Sequence, residues 1–443
     1  MVWTHVKPES ACPLPACFPV QSANRHAGPV GAMTGSAAAL PGVGARHRAG
    51  RRLRWPAWGR ALLLVAPATL TLIVCLLVPI GQFLVQAVGN PEIPGTLPQT
   101  VVALHRWDGT GLPPDEAYAA LDADLRDAAA AGTLGVLARR LNFVSAGYRT
   151  LLMKTGTMLD GAPSADARST LSGIDRRWAA PEIWAVLKAQ SGPYTDFYML
   201  GALDLRRGAD GGVQAVPNGE RLFVGLFGRT LGISAAVTGL CLLLGYPAAH
   251  LLASASPRRR PLLMVLVLLP FWTPVLVRTT AWIVLLQNEG LVNHALRDIG
   301  LIGAPLPLYG NRFSVLVAMT QVLLPYMVLP LFTTMQKVPP ELMRAAGSLG
   351  ANPWRSFRRV YLPQTMPGVV AGSLVVFILA LGYYVTPLLV GGPRDQMISY
   401  FIAAYTNESL NWGLASALGA LLLLLAGAVY LIVNRLFGTH ASA

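Results

Sequence analysis

The chain has 443 residues, of which 53% are hydrophobic and only 13% charged, with a mean hydropathy of +0.48 and a formal net charge of +14. This composition excludes an ordinary soluble globule and places the chain in the membrane class. The four cysteines supply neither a disulfide framework nor a metal set, because Cys12 and Cys17 fall in a low-complexity leader and Cys75 and Cys241 inside apolar runs.

In chain order, residues 1–60 form a basic leader whose Ala, Gly and Pro content, without periodicity, predicts disorder. Met33 is an alternative start. The basic run from Arg46 to Arg60 ahead of an apolar stretch imitates a secretory signal. The stretch is too long for a usual signal core, however, and five more follow, so the reading is an uncleaved first helix, with cleavage as the alternative.

About 20 apolar residues are needed to cross about 30 Å of hydrocarbon. Six stretches qualify: Ala61 to Val88, Val224 to Ala253, Pro261 to Gln287, Phe313 to Thr334, Pro367 to Val390 and Trp412 to Leu436. Prolines within them (Pro67, Pro79, Pro247, Pro270, Pro274, Pro325, Pro330, Pro387) predict kinks rather than breaks. The expected fold class is an all-α membrane protein with six transmembrane helices and a mostly helical external insertion between helices 1 and 2. In domain terms these are the leader 1–60, helix 1 at 61–88, the insertion 89–223, a core of helices 2–6 at 224–436 with a cytoplasmic loop 335–366, and a tail 437–443.

The insertion carries 13 basic and 15 acidic residues and no run long enough to cross. Pro114-Asp115-Glu116 opens a predicted helix with Tyr118, Leu121, Leu125 and Ala128 on one stripe, and Pro181-Glu182 opens another with Ile183, Trp184 and Leu187. Its single histidine, His105, argues against zinc, and no nucleophile–base pair or phosphate-binding glycine loop is present. It reads either as a structural rim or as a contact for an external partner.

Basic residues set the orientation. The leader, the 257–260 link, the 335–366 segment and the end of the chain from Arg435 hold 17 Lys and Arg against two acids, Glu9 and Glu341, whereas the alternate connections are balanced or acidic. By the positive-inside rule both termini are cytoplasmic. The +14 charge thus reports topology rather than nucleic-acid binding.

One charged segment interrupts the apolar core: ELMRAAGSLGANPWRSFRRVYLP, from Glu341 to Pro363. Pro340 suits a first helical position. Leu342, Ala345, Ala346 and Leu349 recur at helical spacing, and Gly350 suits a left-handed stop. Asn352 with Pro353 opens a second helix, which Pro363 is expected to end, with Trp354, Phe357 and Tyr361 on one stripe and Arg355, Arg358 and Arg359 on another. Such an elbow can lie on anionic lipid, but the fixed glycine and paired alanines favour a protein groove.

The elbow resembles the cytoplasmic loop of the membrane subunits of type I ABC importers, which reads E-A-A, three residues, G, nine residues, I, any residue, L-P. Here Arg344-Ala345-Ala346 is followed at the same spacings by Gly350, Val360, Tyr361 and Leu362-Pro363. The resemblance runs from about Leu226 to Arg435. In LPFWTPVLVRTTAW, LPYMVLPL and LPQTMPGVVAGSLVVFILALGYYVTPLLVGG it is similar to the spermidine and putrescine permeases. It implies an inner-membrane transport subunit, not an enzyme, whose ATP and Mg are bound by a separate dimer of ATP-binding subunits. It further implies a second permease subunit and an external substrate-binding protein as partners, besides membrane lipid. On this resemblance Glu341, Arg344, Ala345, Ala346, Gly347, Gly350, Leu362 and Pro363 make the ATPase contact. Arg344 replaces the motif glutamate, and Glu341, three residues earlier, is the substitute acid.

A polyamine cargo would favour aromatic faces and carboxylates, which makes Trp272, Tyr383, Tyr384 and Glu408 candidate path residues. An opine, thiamine or ferric iron is the alternative cargo. Arg278, 17 residues along the third stretch at about 1.5 Å each, would stand about 26 Å up the membrane, where it and Arg229 would act as interfacial anchors. An autonomous secondary transporter would show mid-membrane carboxylates and inverted repeats, and a membrane enzyme would show His or acid clusters; neither pattern is evident.

Overall fold

The computed structural model describes residues 57–144, 146–159, 166–207 and 212–437. Most of the expected leader, with Met33, Cys12 and Cys17, and residues 438–443 of the tail lie outside this range. The chain divides into two units, Met1–Ala66 and Pro67–Ala443, and of the first only the opening turns of helix α1 (Ala57–Val88) are described.

After α1 the described residues form α2 (Glu92–Thr96), α3 (Pro98–Arg106), α4 (Asp115–Ala130), α5 (Leu134–Val144), α6 (Tyr148–Leu159), α7 (Ala167–Ile174), α8 (Pro181–Ala189) and α9 (Phe197–Ala202). A hairpin of β1 (Leu205–Arg207) and β2 (Val213–Ala215) follows. The two stripes read from the sequence are the core of this segment: Tyr118, Leu121, Leu125, Ile183, Trp184 and Leu187 are all buried. Its polar tips are paired, as buried tips must be. The Tyr118 hydroxyl and Trp184 Nε1 both donate to the Trp178 carbonyl, at 3.0 and 2.9 Å, and Trp178 Nε1 donates to Thr155 Oγ1 at 2.9 Å.

The remainder comprises α10 (Phe223–Ser254), α11 (Arg260–Leu268), α12 (Val275–Leu286), α13 (Leu291–Asp298), α14 (Arg312–Met335), α15 (Pro340–Ser348), α16 (Pro353–Ser356), α17 (Leu362–Leu381), α18 (Val385–Val390), α19 (Ile398–Asn407) and α20 (Trp412–Phe437). Among the described residues five helices are long and apolar enough to cross a membrane, or six if the bent pair Arg260–Trp272 and Val275–Asp298 counts as one. That pair corrects the expectation of a kinked third helix, because its arms meet at 96°. Pro270 and Pro274, one turn apart, delete successive hydrogen bonds on the same side, and Thr273, preceding a proline, is extended at φ −94° and ψ 134°. Arg278 therefore lies one turn into a new helix, and the straight-rise count that put it near the outer interface does not apply. Its Nε is buried with no hydrogen-bond partner, while Arg229 donates to the Gln396 carbonyl at 3.4 Å. The expected fifth stretch also differs: helix continues from Pro353 to Leu381, and α18 follows a break at Gly382–Tyr384.

Helices α10, α14 and α17 form the central packing. Hydrocarbon does not drive helices together as water does, so close approach at small residues carries the load. A Cβ on Gly245 would lie 2.9 Å from Met327 Cγ, one on Gly372 2.9 Å from Met327 Sδ, and one on Gly368 2.7 Å from Thr334 Oγ1. The α12 and α18 segments are tied by Thr279 and Thr386, whose hydroxyls are 3.3 Å apart.

Gly372→Val should lower stability by about 1–3 kcal/mol through overpacking against Met327, read as a fall in the thermal midpoint of the purified protein. Gly239→Val is the control, since a Cβ there meets nothing within 4 Å.

Candidate functional site

The elbow folds by the local rules of its sequence. Pro340 occupies the first turn of α15, where its missing N–H costs nothing. Gly350 has φ +83°, and its N–H donates to the Gly347 carbonyl at 2.9 Å while that of Ala351 donates to the Ala346 carbonyl at 3.1 Å. This is a Schellman stop, which a side chain at position 350 would strain whatever the space around it. Asn352 Oδ1 then accepts from the Arg355 N–H at 2.8 Å, capping the next helix with Pro353 in its first turn.

The second half departs from expectation. Pro363 does not end the helix, which passes through a π turn at Phe357–Tyr361 and continues as α17. A proline in an α-helix clashes with the carbonyl four residues back and has no N–H to give it. The widened turn just before Pro363 relieves that clash, with the Leu362 N–H reaching back five residues to the Phe357 carbonyl.

The outer face of the elbow is bare. Leu349 is 88% exposed, Trp354 69% and Leu342 37%, while Met343 and Phe357 pack against the central helices. Ala345 and Gly347 are exposed and Ala346 half-exposed, so the small residues present backbone to the outside. Arg344 Nη2 lies 3.2 Å from Glu341 Oε1, with both side chains largely exposed. An exposed pair one turn apart is worth less than about 1 kcal/mol, so either partner is free to re-pair with an outside charge. Leu362 is half-buried and Pro363 exposed.

Of the four path candidates the structure brings two together. Tyr383 and Tyr384 line a groove of about 610 Å³ with Val275, Leu276 and Leu388, between α12 and α18. Trp272, 84% exposed, and Glu408, exposed at the end of α19, do not line it, and no carboxylate does. Among the described residues no group of three His, Cys, Asp or Glu side chains is placed to hold a metal. Sequence reasoning missed the contacts between α10 and the elbow helix, through Tyr246 and His250. Their four-residue spacing was the available signal, but it does not name a partner.

Residues 242–442 match the family described as binding-protein-dependent transport system inner membrane component. The spermidine/putrescine transport system permease protein PotB of Haemophilus influenzae is 37% identical over 218 residues, covering 48% of this chain and 76% of that protein. The molybdenum transport system permease protein ModB of Mycobacterium bovis is 33% identical over 202 residues, covering 45% of this chain and 75% of that protein. A solved bacterial alginate ABC transporter, in complex with its periplasmic protein, has a chain matching 50% of this one at 20% identity, with a TM-score of 0.41.

Gly350→Ala should leave the spans folded but destabilise the elbow by about 1–2 kcal/mol, the cost of a left-handed alanine. Faster hydrogen exchange confined to the amides of 340–352 would register it.

Proposed function

The chain belongs to the family of binding-protein-dependent inner-membrane transport components, in its polyamine-permease branch, and from that premise we propose that it is the permease subunit through which a polyamine enters the cell. The observation carrying this reading is the elbow, whose shape is fixed by Gly350 and Asn352 while its apolar face, Leu342, Leu349 and Trp354, is left open. Apolar side chains held out on a rigid basic scaffold suit a groove in a second protein. That partner is the ATP-binding subunit, which supplies ATP and Mg, and Glu341, Arg344, Ala345, Ala346, Gly347, Gly350, Leu362 and Pro363 meet it or shape the surface that does. The ion pair of Glu341 and Arg344 opens on docking, so that Glu341 supplies the acid that residue 344 lacks.

In this reading the bent pair counts as one span, which makes six. Both ends of the chain are cytoplasmic, the segment 89–223 is external, and 335–366 faces the ATPase. Six spans supply half a path, so a second permease subunit is required, and an external binding protein delivers the cargo. The polyamine reading rests on the likeness to PotB and on the aromatic groove at Tyr383 and Tyr384, whose ring faces attract an ammonium without a carboxylate.

Gly350→Pro should abolish import in reconstituted vesicles while the chain still inserts, because proline requires φ near −65° where the elbow needs +83°. Cargo-linked ATP hydrolysis persisting in that variant would remove the elbow from the coupling role. A thermal-shift screen of the cognate binding protein should show spermidine or putrescine as the strongest stabiliser. A larger shift with an opine, thiamine, ferric iron or molybdate would reassign the cargo and leave the transport class standing.

A further inference from the structure

A chain of aromatic side chains leads inward from the exposed elbow. Trp354 stacks on Phe357 (centroids 5.9 Å apart, planes at 19°), and Phe357 stacks on Tyr361 (5.7 Å, 23°). Two residues of α10, one turn apart, close on this stack. Tyr246 sets its ring edge on Phe357, at 6.1 Å and 87°, and its hydroxyl is hydrogen-bonded to Thr365 Oγ1 at 3.0 Å. His250 sets its ring edge on Tyr361, at 5.3 Å and 85°, with Nδ1 hydrogen-bonded to the Tyr361 hydroxyl at 3.1 Å. The exposed end of the stack is Trp354, and its inner end, Tyr361, is 9% exposed.

The stack crosses the π turn, the point where the helix from Pro353 to Leu381 is most able to bend, since a π turn interrupts the regular ladder and Pro363 beyond it has no N–H to restore it. A push on the elbow would be absorbed at that turn if backbone alone carried it. The side chains bypass it, because Tyr246 holds Phe357 within the turn and Thr365 beyond it, while His250 holds Tyr361. They deliver the push to α10, a helix of 32 residues and so about 48 Å long. At its other end α10 holds the segment that leads into α19: Thr230 Oγ1 accepts from the Ile398 N–H at 3.0 Å, and Arg229 donates to the Gln396 carbonyl.

We propose that Tyr246 and His250, closed on Phe357 and Tyr361, are the transmission joint between the ATPase-docking elbow and α10, with Tyr361 its principal positioning residue. This rests on the permease reading and adds to it the side chains through which the elbow moves the spans. Stability alone would be served by any well-packed side chains at these positions; transmission requires that the link hold while the turn flexes.

The test uses the full transporter, with both permease subunits, ATPase and binding protein, in proteoliposomes with spermidine as cargo. It reads import per ATP hydrolysed and the ratio of binding-protein-stimulated to basal ATP hydrolysis. Tyr361→Phe, which deletes one hydroxyl, and His250→Ala should each lower both ratios about three- to tenfold, the scale set by one hydrogen bond between two conformations, with basal hydrolysis unchanged. His250→Asn, which keeps a polar atom near Nδ1, should restore most of the loss. Unchanged ratios in Tyr361→Phe would overturn the joint, as would import and basal hydrolysis falling together, the signature of a role in folding only. If the native complex imports no spermidine, the cargo reading fails instead, and the joint stands or falls on the stimulation ratio alone.

Discussion

Met327 sits between two glycines, Gly245 on α10 and Gly372 on α17, and the packing of α10, α14 and α17 follows from that contact. Inside a bilayer lipid tails solvate leucine as well as another leucine does, so helices associate by shape, and the narrowest approaches decide which helices become neighbours. Around this contact α10, α14 and α17 form one unit, extended by Gly368 against Thr334. The two broken segments, α11–α12 and α17–α18, place their breaks beyond it. The glycines thus separate a tightly packed centre from flanking pieces joined by interrupted backbone, which is where a change of shape costs least.

The elbow has the opposite energetics. Its backbone is pinned by a Schellman stop and an asparagine cap, yet Trp354 and Leu349 are left exposed. A surface so well specified and so poorly satisfied gains most from a partner, since little conformational entropy remains to be lost on docking. The weak, exposed pairing of Arg344 with Glu341 leaves both charges able to re-pair.

Much of this was legible from the residues because the signals are local. Proline at a first turn, asparagine before proline, and glycine after an alanine pair each determine a few dihedral angles, and the elbow assembles from them. The stripes of α4 and α8 were equally plain, because burial on one face imprints a period on the sequence. The breaks were not legible. Pro247, Pro325 and Pro330 lie inside continuous helices, whereas Pro270 and Pro274 bracket a sharp bend. A proline in an apolar run reads the same in either case until neighbouring helices show whether its freed carbonyls find support. The π turn was hidden for a related reason: Pro363 can end a helix or widen it, and only the continuing packing of α17 decides. The pairing of Tyr246 and His250 with residues more than 100 positions away is tertiary, and nothing local announces it.

Asp204 has a positive φ of 56°, and its carboxylate accepts from the N–H groups of Leu222, Phe223 and Val224 at the start of α10. It belongs by sequence to the segment outside the 242–442 family match, yet it neutralises the positive end of a helix in the central unit. The first turn of α10, itself outside that match, is therefore held by the segment that precedes it. Removing the segment that carries Asp204 would leave three N–H groups at the first turn of α10 without their acceptor, so a chain shortened there would need a replacement carboxylate at the same helix end.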